Sequence, residues 1–207
     1  HPEARPEPAD VPAPGEPRGD LEDAAGEASE KVASMLGLPY PGGPAISQAA
    51  LEGNSTAYRF PRPFLQETDS LDFSFSGLKT AVRYEVAGTG QVDFSSLKLS
   101  ATKIADVAAS FQEAVVDCLI TKTFLALEKH QRQRLCVGGG VAANGRLRER
   151  LDTEATAANI ELHIAPFALC TDNAVMGAIA WERFKAGLTE SLDLDISAGL
   201  VRPHNKS

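Results

Sequence analysis

The fold is decided by one stretch of eleven residues, Arg134-Leu135-Cys136-Val137-Gly138-Gly139-Gly140-Val141-Ala142-Ala143-Asn144. Its first four residues predict a short buried strand, which runs directly into three glycines. Leu147 and Leu151 follow at helical spacing and predict a helix after this loop. A second strand is predicted over residues 161–165, ended by Pro166. Strands that alternate with helices are typical of an α/β fold with a parallel or mixed sheet.

The three glycines also form the first candidate site. Glycine lets the backbone approach a ligand closely, and the N–H groups at the start of the next helix favour an anion. Asn144 is placed where its amide either caps that helix or contacts a ribose. The loop is neither a Walker A motif nor a Gly-x-Gly-x-x-Gly fingerprint. The sequence therefore leaves two interpretations of the loop open, a nucleotide-binding site and a tight structural turn.

Helices dominate the rest of the chain. Apolar residues recur every three or four positions in several segments, which indicates amphipathic helices. We expect these helices over residues 21–36, 45–51, 76–85, 101–130 and 173–186. Between the first two, the proline and glycine residues of segment 39–44 predict a rigid turn. The alternation of Leu71, Phe73 and Phe75 with polar residues predicts a half-buried strand before the third helix.

Composition limits the class of protein. With 43% hydrophobic residues among 207, the chain can bury a proper core. It has no apolar run approaching about 18 residues, so no membrane-spanning helix is predicted. Cys118, Cys136 and Cys170 form no Cys-x-x-Cys pair, which excludes a disulfide scaffold and a zinc ribbon. Such sparse cysteines fit the reducing cytoplasm, where we expect the protein to act.

The formal net charge of −8 is unevenly distributed. The first 30 residues contain nine acidic and two basic side chains, whereas residues 120–151 contain seven basic and two acidic ones. We expect residues 1–19, which are also rich in proline, to form a disordered acidic lead-in. The basic stretch includes Arg146, Arg148 and Arg150, which form either a solvated helix face or a surface that attracts phosphate.

A second candidate site is Cys170-Thr171-Asp172-Asn173, at the entrance of the last predicted helix. Asp172 either stabilises the helix N-terminus through the macrodipole or ligates a metal cation near bound phosphates. The four histidines form no pair at metal-binding spacing. His163 lies in an apolar strand and is expected to be a core residue with its hydrogen bonds satisfied.

The motifs of the chain, taken in order, resemble the TsaD family. The resemblance covers about residues 20–202, and the ordered series at family-like spacing makes it specific. The matching motifs are Asp23-Ala24-Ala25-Gly26-Glu27-Ala28, Lys31-Val32-Ala33, Leu36-Gly37-Leu38-Pro39-Tyr40-Pro41-Gly42-Gly43-Pro44, Phe60-Pro61-Arg62-Pro63, Asp72-Phe73-Ser74-Phe75-Ser76-Gly77-Leu78-Lys79-Thr80, Gly139-Gly140-Val141-Ala142-Ala143-Asn144 and Cys170-Thr171-Asp172-Asn173.

The resemblance implies a two-lobed fold. This is the actin/hexokinase/Hsp70-like (ASKHA) superfold, of α/β class, here mainly as its C-terminal lobe. We expect a TsaD-like domain over 20–202, with a helical insert segment at 20–98, an α/β lobe at 99–202 and a tail at 203–207. The family's His-x-x-x-His metal pair belongs to an N-terminal lobe, and this chain has no match for it. We therefore expect the last helix and the glycine loop to expose apolar surface.

The same resemblance implies an acyltransferase, tRNA N6-adenosine threonylcarbamoyltransferase. Members transfer threonylcarbamoyl from threonylcarbamoyl-AMP to N6 of the adenosine on the 3′ side of the anticodon. They act together with TsaB- and TsaE-like proteins, and no membrane association is expected. We expect this fragment to be inactive by itself. The alternative is a non-catalytic nucleotide- or partner-binding fragment of the same superfold.

The resemblance also implies a set of site residues. Those expected to contact the substrate adenylate are Glu30, Gly43, Gly139, Gly140 and Asn144. Glu30 stands where the family has Asp, so its carboxylate is one methylene further from the backbone. Asp172 is implied as a ligand of one divalent metal ion, Fe(2+), whose other ligands this chain lacks. No catalytic residue is assigned.

Overall fold

The computed structural model describes residues 25–63, 65, 71–88, 90, 94, 97–171 and 173–189. Its helices and strands are α1 (Ala25–Met35), α2 (Gly42–Ala50), α3 (Ser76–Ala87), α4 (Ala101–Lys129), β1 (Arg134–Val137), α5 (Gly145–Ala158), β2 (Glu161–Ile164) and α6 (Gly177–Lys185). Short 3-10 turns occur at Gly140–Ala143, Phe167–Leu169 and Ala174–Met176. The predicted lead-in 1–19, the tail 203–207 and Asp172 lie outside the described residues.

The 29-residue helix α4 is the central element. Ser100 begins it as a side-chain cap, because its Oγ accepts a hydrogen bond of 3.1 Å from the N–H of Lys103. The first part of α4 packs with α1, α2 and α3 around Phe111, and the next part packs with α5 and the sheet around Ile120. The predicted helix over 101–130 is confirmed, and it carries two apolar cores along its length.

The two strands form a parallel sheet connected through α5. Arg134 of β1 lies opposite Glu161 of β2, and Val137 lies opposite Ile164. Both strands alternate between exposed and half-buried residues, so only one face of the sheet is covered. The α/β class and both of these strands are therefore confirmed. His163 was wrongly expected in the core: it lies on the exposed face, with Nε2 2.8 Å from the Glu161 carboxylate.

The strand predicted from Leu71 to Phe75 is wrong. This segment is irregular, and the only strands in the described part of the chain are β1 and β2. Phe75 is buried because it occupies the position before α3, whereas Phe73 is 41% exposed. The alternation did not produce a strand, because the described structure offers this segment no neighbouring strand to pair with.

Two helices begin at other residues than predicted. Helix α2 begins at Gly42, three residues early, and it includes Pro44. Proline is tolerated there because the N–H groups of the first turn have no acceptor within the helix. Helix α6 begins at Gly177, four residues later than predicted, after a separate 3-10 turn. The side chain of Asn173 caps that turn by accepting from the N–H of Val175.

The described helices include none that is long and apolar enough to cross a membrane.

Helix α6 exposes apolar surface, as expected for the last helix. Trp181 and Phe184 stack on each other with ring centroids 5.8 Å apart, and both are exposed.

Candidate nucleotide-binding site

The glycine loop turns the chain sharply between β1 and α5. Gly139 has φ of +88°, a conformation that strongly favours glycine. The chain then enters the 3-10 turn Gly140–Ala143. Gly138, Gly139 and Gly140 are exposed, and a Cβ on any of them would meet no atom within 4 Å. Open space therefore lies beside the loop, where a ligand can reach its backbone.

Asn144 braces this loop against two helices. Its Oδ1 accepts a hydrogen bond of 2.9 Å from the N–H of Leu147 and so caps α5. Its Nδ2 donates to Ser47 Oγ at 3.0 Å and to Gln112 Oε1 at 2.9 Å. Both amide donors are thus used within the protein. Of the two roles open from the sequence, the structure shows the cap, and it adds a bridge to α2 and α4.

Glu30 lies on α1, and its carboxylate binds the N-terminus of α2. Its two carboxylate oxygens lie 2.9 Å and 2.8 Å from the backbone nitrogen of Gly42, whose N–H they accept. A Cβ on Gly42 would lie 2.8 Å from the Cα of Glu30 and 2.9 Å from the Cβ of Ala33, so this position requires glycine. The next residue, Gly43, has open space beside it. A carboxylate is well placed here because the helix dipole is positive at this end.

These elements meet at one place in the fold. Ser47, which contacts Asn144, lies on the helix that Gly42 begins, and the 3-10 turn of the glycine loop lies against α1. The predicted residues Glu30, Gly43, Gly139, Gly140 and Asn144 therefore lie on or next to α1, α2 and the 3-10 turn, which contact one another. A carboxylate, the exposed glycine loop, the half-buried Gly43 and a capped helix start therefore lie in one part of the molecule.

Arg146 and Arg150 are ion-paired to α4. Arg146 donates to Glu113 through Nε at 2.8 Å and Nη2 at 2.9 Å, and Arg150 Nη1 donates to Glu113 at 2.9 Å and to Asp117 at 3.0 Å. The hydrogen bonds from Arg146 hold the pKa of Glu113 below its ordinary value, against the opposing effect of burial. The pKa of Arg146 is raised in turn. These two arginines therefore join α5 to α4 and do not form a solvated face.

Arg148 has different partners from its neighbours. Its Nε donates to the carbonyl of Ala142 at 2.6 Å, and its Nη2 donates to the carbonyl of Ala165 at 2.5 Å and lies 3.2 Å from Cys170 Sγ. The guanidinium stacks on Phe167, 4.0 Å from the ring centroid. Sequence reasoning missed this role, because the spacing of the three arginines does not distinguish the middle one.

The candidate metal site is only partly described. Cys170 is buried, and Asn173 Nδ2 donates to the carbonyl of Thr171 at 2.7 Å, so both sides of Asp172 have defined contacts. Asp172 itself lies outside the described residues. Within the described ranges, no group of three or more His, Cys, Asp or Glu residues could hold a metal ion. The described residues thus do not form a metal site.

An exposed glycine loop between a parallel strand and a helix is a feature of many α/β proteins that bind anions or nucleotides. The family model described as "TsaD: tRNA N6-adenosine threonylcarbamoyltransferase" matches residues 17–179. The chain belongs to this family.

Three similar curated proteins carry the name tRNA N6-adenosine threonylcarbamoyltransferase. The protein from Rhodopirellula baltica is 53% identical over 89% of this chain and 54% of its own length. Those from Kosmotoga olearia and Desulfitobacterium hafniense are 47% and 52% identical over 83% and 77% of this chain, and over 49% and 45% of their own lengths. The chain spans about half the length of the curated relatives it matches.

Proposed function

We propose that this chain supplies the adenylate-binding part of a tRNA N6-adenosine threonylcarbamoyltransferase. The observation that carries the proposal is the exposed glycine loop, which Asn144 braces against α2 beside the Glu30–Gly42 contact. The names of the relatives support this choice among nucleotide-binding functions. The donor is threonylcarbamoyl-AMP, and the acceptor is N6 of the adenosine on the 3′ side of the anticodon.

The reaction needs little covalent chemistry from the protein. The donor is a mixed anhydride, so N6 of the adenosine attacks the carbamoyl carbon, the bond to the phosphate oxygen breaks, and AMP leaves while N6 loses a proton. The protein must hold the phosphate and stabilise the charge that develops on it. Backbone N–H groups at Gly139 and Gly140 can serve that role because glycine leaves them accessible. Glu30 and Gly43 would contact the remainder of the adenylate from α1 and α2.

Asp172 is our proposed ligand of a divalent metal ion of iron type. Such an ion takes several protein ligands, and one carboxylate is too few to retain it. The remaining ligands would come from outside this chain. We therefore derive no step of the reaction through the metal.

The proposed assembly around this chain rests on its membership of the family. We propose that the chain forms the C-terminal lobe of an actin/hexokinase/Hsp70-like fold, and that its α/β unit from β1 to β2 belongs to that lobe. TsaB- and TsaE-like proteins are the proposed partners, and the cytoplasm is the proposed location because the substrate is a tRNA. The small parallel sheet and the glycine loop support the assignment of this chain to an α/β lobe.

The proposal is tested by an NMR titration that measures the binding of AMP to the 207-residue chain. Gly140→Val fills the open space beside the loop, and its backbone is not strained because Gly140 does not have a positive φ. We expect this variant to bind AMP about tenfold or more weakly. Gly77→Val is the matched control, since Gly77 is also exposed with open space beside it, at the start of α3. AMP that fails to bind, or that binds both variants like the wild type, would overturn the proposal.

A further inference from the structure

Among the described residues of α5, Arg148 is the one whose side chain forms hydrogen bonds both to the glycine loop and to the Cys170 segment. At one side its Nε holds the carbonyl of Ala142, which lies in the 3-10 turn of the glycine loop. At the other side its Nη2 contacts the carbonyl of Ala165 and the sulfur of Cys170. A guanidinium is a planar fork of five donors, so one rigid group fixes the relative position of all these atoms.

The contrast with the neighbouring arginines shows that this arrangement is particular. Arg146 and Arg150 lie on the same helix, and both are bonded to carboxylates of α4. Arg148 is instead directed to the end of β2 and to the segment that follows it, where Phe167 covers its guanidinium face. It therefore contributes to the position of segment 165–170, whereas its neighbours contribute to the packing of α5 on α4.

The anchored segment leads directly to the proposed metal ligand. Cys170 is only 1% exposed, and its sulfur lies between Arg148 and the carbonyl oxygens of Ala165 and Pro166. Displacement of Ala142 by a ligand at the glycine loop would change the bonds of the same guanidinium that holds Cys170.

We propose that Arg148 is a positioning residue, which couples the glycine loop to segment 165–170. The proposal rests on the proposed function only for the identity of the ligand, an adenylate. The contacts that carry it are independent of that identity. Its consequence is that a nucleotide phosphate at the loop restrains the segment around Cys170, and that this restraint requires the guanidinium of Arg148.

The first experiment measures how fast iodoacetamide alkylates each cysteine of the native 207-residue chain, by mass spectrometry. We expect Arg148→Met to speed alkylation of Cys170 about tenfold or more, because the segment opens locally. A faster reaction of Cys170 relative to Cys118 therefore reports local exposure of the Cys170 sulfur. Cys118, buried in the core of α4, reports global unfolding, and exposed Cys136 reports reagent activity.

The matched control is Arg150→Met, the same chemical change on the same helix. We expect it to leave the ratio of Cys170 to Cys118 alkylation unchanged. Arg148→Lys keeps the charge and is expected to restore Cys170 protection only in part, because an ammonium lacks the fork. Wild-type protection of Cys170 in Arg148→Met, or equal acceleration of Cys170 and Cys118 in both Arg148 variants, would overturn the proposal.

The second measurement repeats the alkylation with AMP as the probe. We expect AMP to slow the reaction of Cys170 in the wild type and to have no effect on it in Arg148→Met. AMP that binds without changing Cys170 alkylation in the wild type would overturn the coupling. A chain that binds no AMP would instead overturn the proposed function, while the alkylation rates without ligand still decide whether Arg148 holds the segment.

Discussion

Two regions of the molecule contain similar aromatic residues, but one region buries them and the other exposes them to solvent. Around the first part of α4, Phe75 and Phe111 are each 1% exposed. Near the end of the described chain, Trp181 and Phe184 of α6 are 59% and 62% exposed. Within the described residues α6 packs mainly on the 3-10 turn before it, whereas α4 packs on α2 and α3 and shares one buried core with α1. Burial of these aromatic side chains therefore depends on the elements that cover them more than on the residue type.

The first prediction tests that difference with one substitution in each region. Phe111→Ala leaves a cavity in a closed core, and we expect it to lower the free energy of unfolding by about 3–5 kcal/mol. Phe184→Ala removes a side chain that is mostly in water, and we expect a change within about 0.5 kcal/mol. Urea denaturation of both variants measures the effect. Equal losses would show that α6 is as well covered as α4.

The second, smaller effect concerns charge at the seam between α4 and α5. The folded pKa of Glu113 lies below its unfolded value, so its carboxylate stabilises the fold above the ordinary pKa of about 4.5. This stabilisation is lost as pH falls through the lowered folded pKa. We expect Glu113→Gln to be less stable than the wild type at pH 7 and to lose less stability on acidification.

The matched control for this charge effect lies in the other region. Glu182 pairs with Lys185 on α6, and its side chain is 70% exposed. Exposed pairs of this kind contribute little to stability, so Glu182→Gln should leave the acid part of the stability curve unchanged. Urea midpoints between pH 7 and pH 3 measure both variants. A wild-type acid response in Glu113→Gln would contradict the role given to the Arg146–Glu113 pair.

Local patterns predicted the elements that position the site, and they failed where distant packing decides. The strand at Arg134, the glycine turn and α5 follow from periodicity and from the freedom of glycine. The segment before α3 alternates like a strand but has no neighbouring strand in the described structure. His163 was misplaced because an apolar strand can still have one exposed face.

The candidate site shows the same division. The capping role of Asn144 was one of the roles expected from its position before a helix. Its bonds to Ser47 and Gln112 were not, because they join elements far apart in the sequence. The contacts of Arg148 depend in the same way on the path of the chain after β2. Such contacts are set by tertiary packing and leave no periodic signal in one sequence.

The central claim, that this chain is the adenylate-binding part of a threonylcarbamoyltransferase, is tested most directly by transfer of labelled threonylcarbamoyl to tRNA. The assay compares the chain alone with the chain joined to the part of the Rhodopirellula baltica relative that it does not match. We expect no transfer by the chain alone, transfer by the joined protein, and loss of both metal and transfer in its Asp172→Ala variant. Robust metal-dependent transfer by residues 1–207 alone, or full activity of the Asp172→Ala variant, would contradict the account.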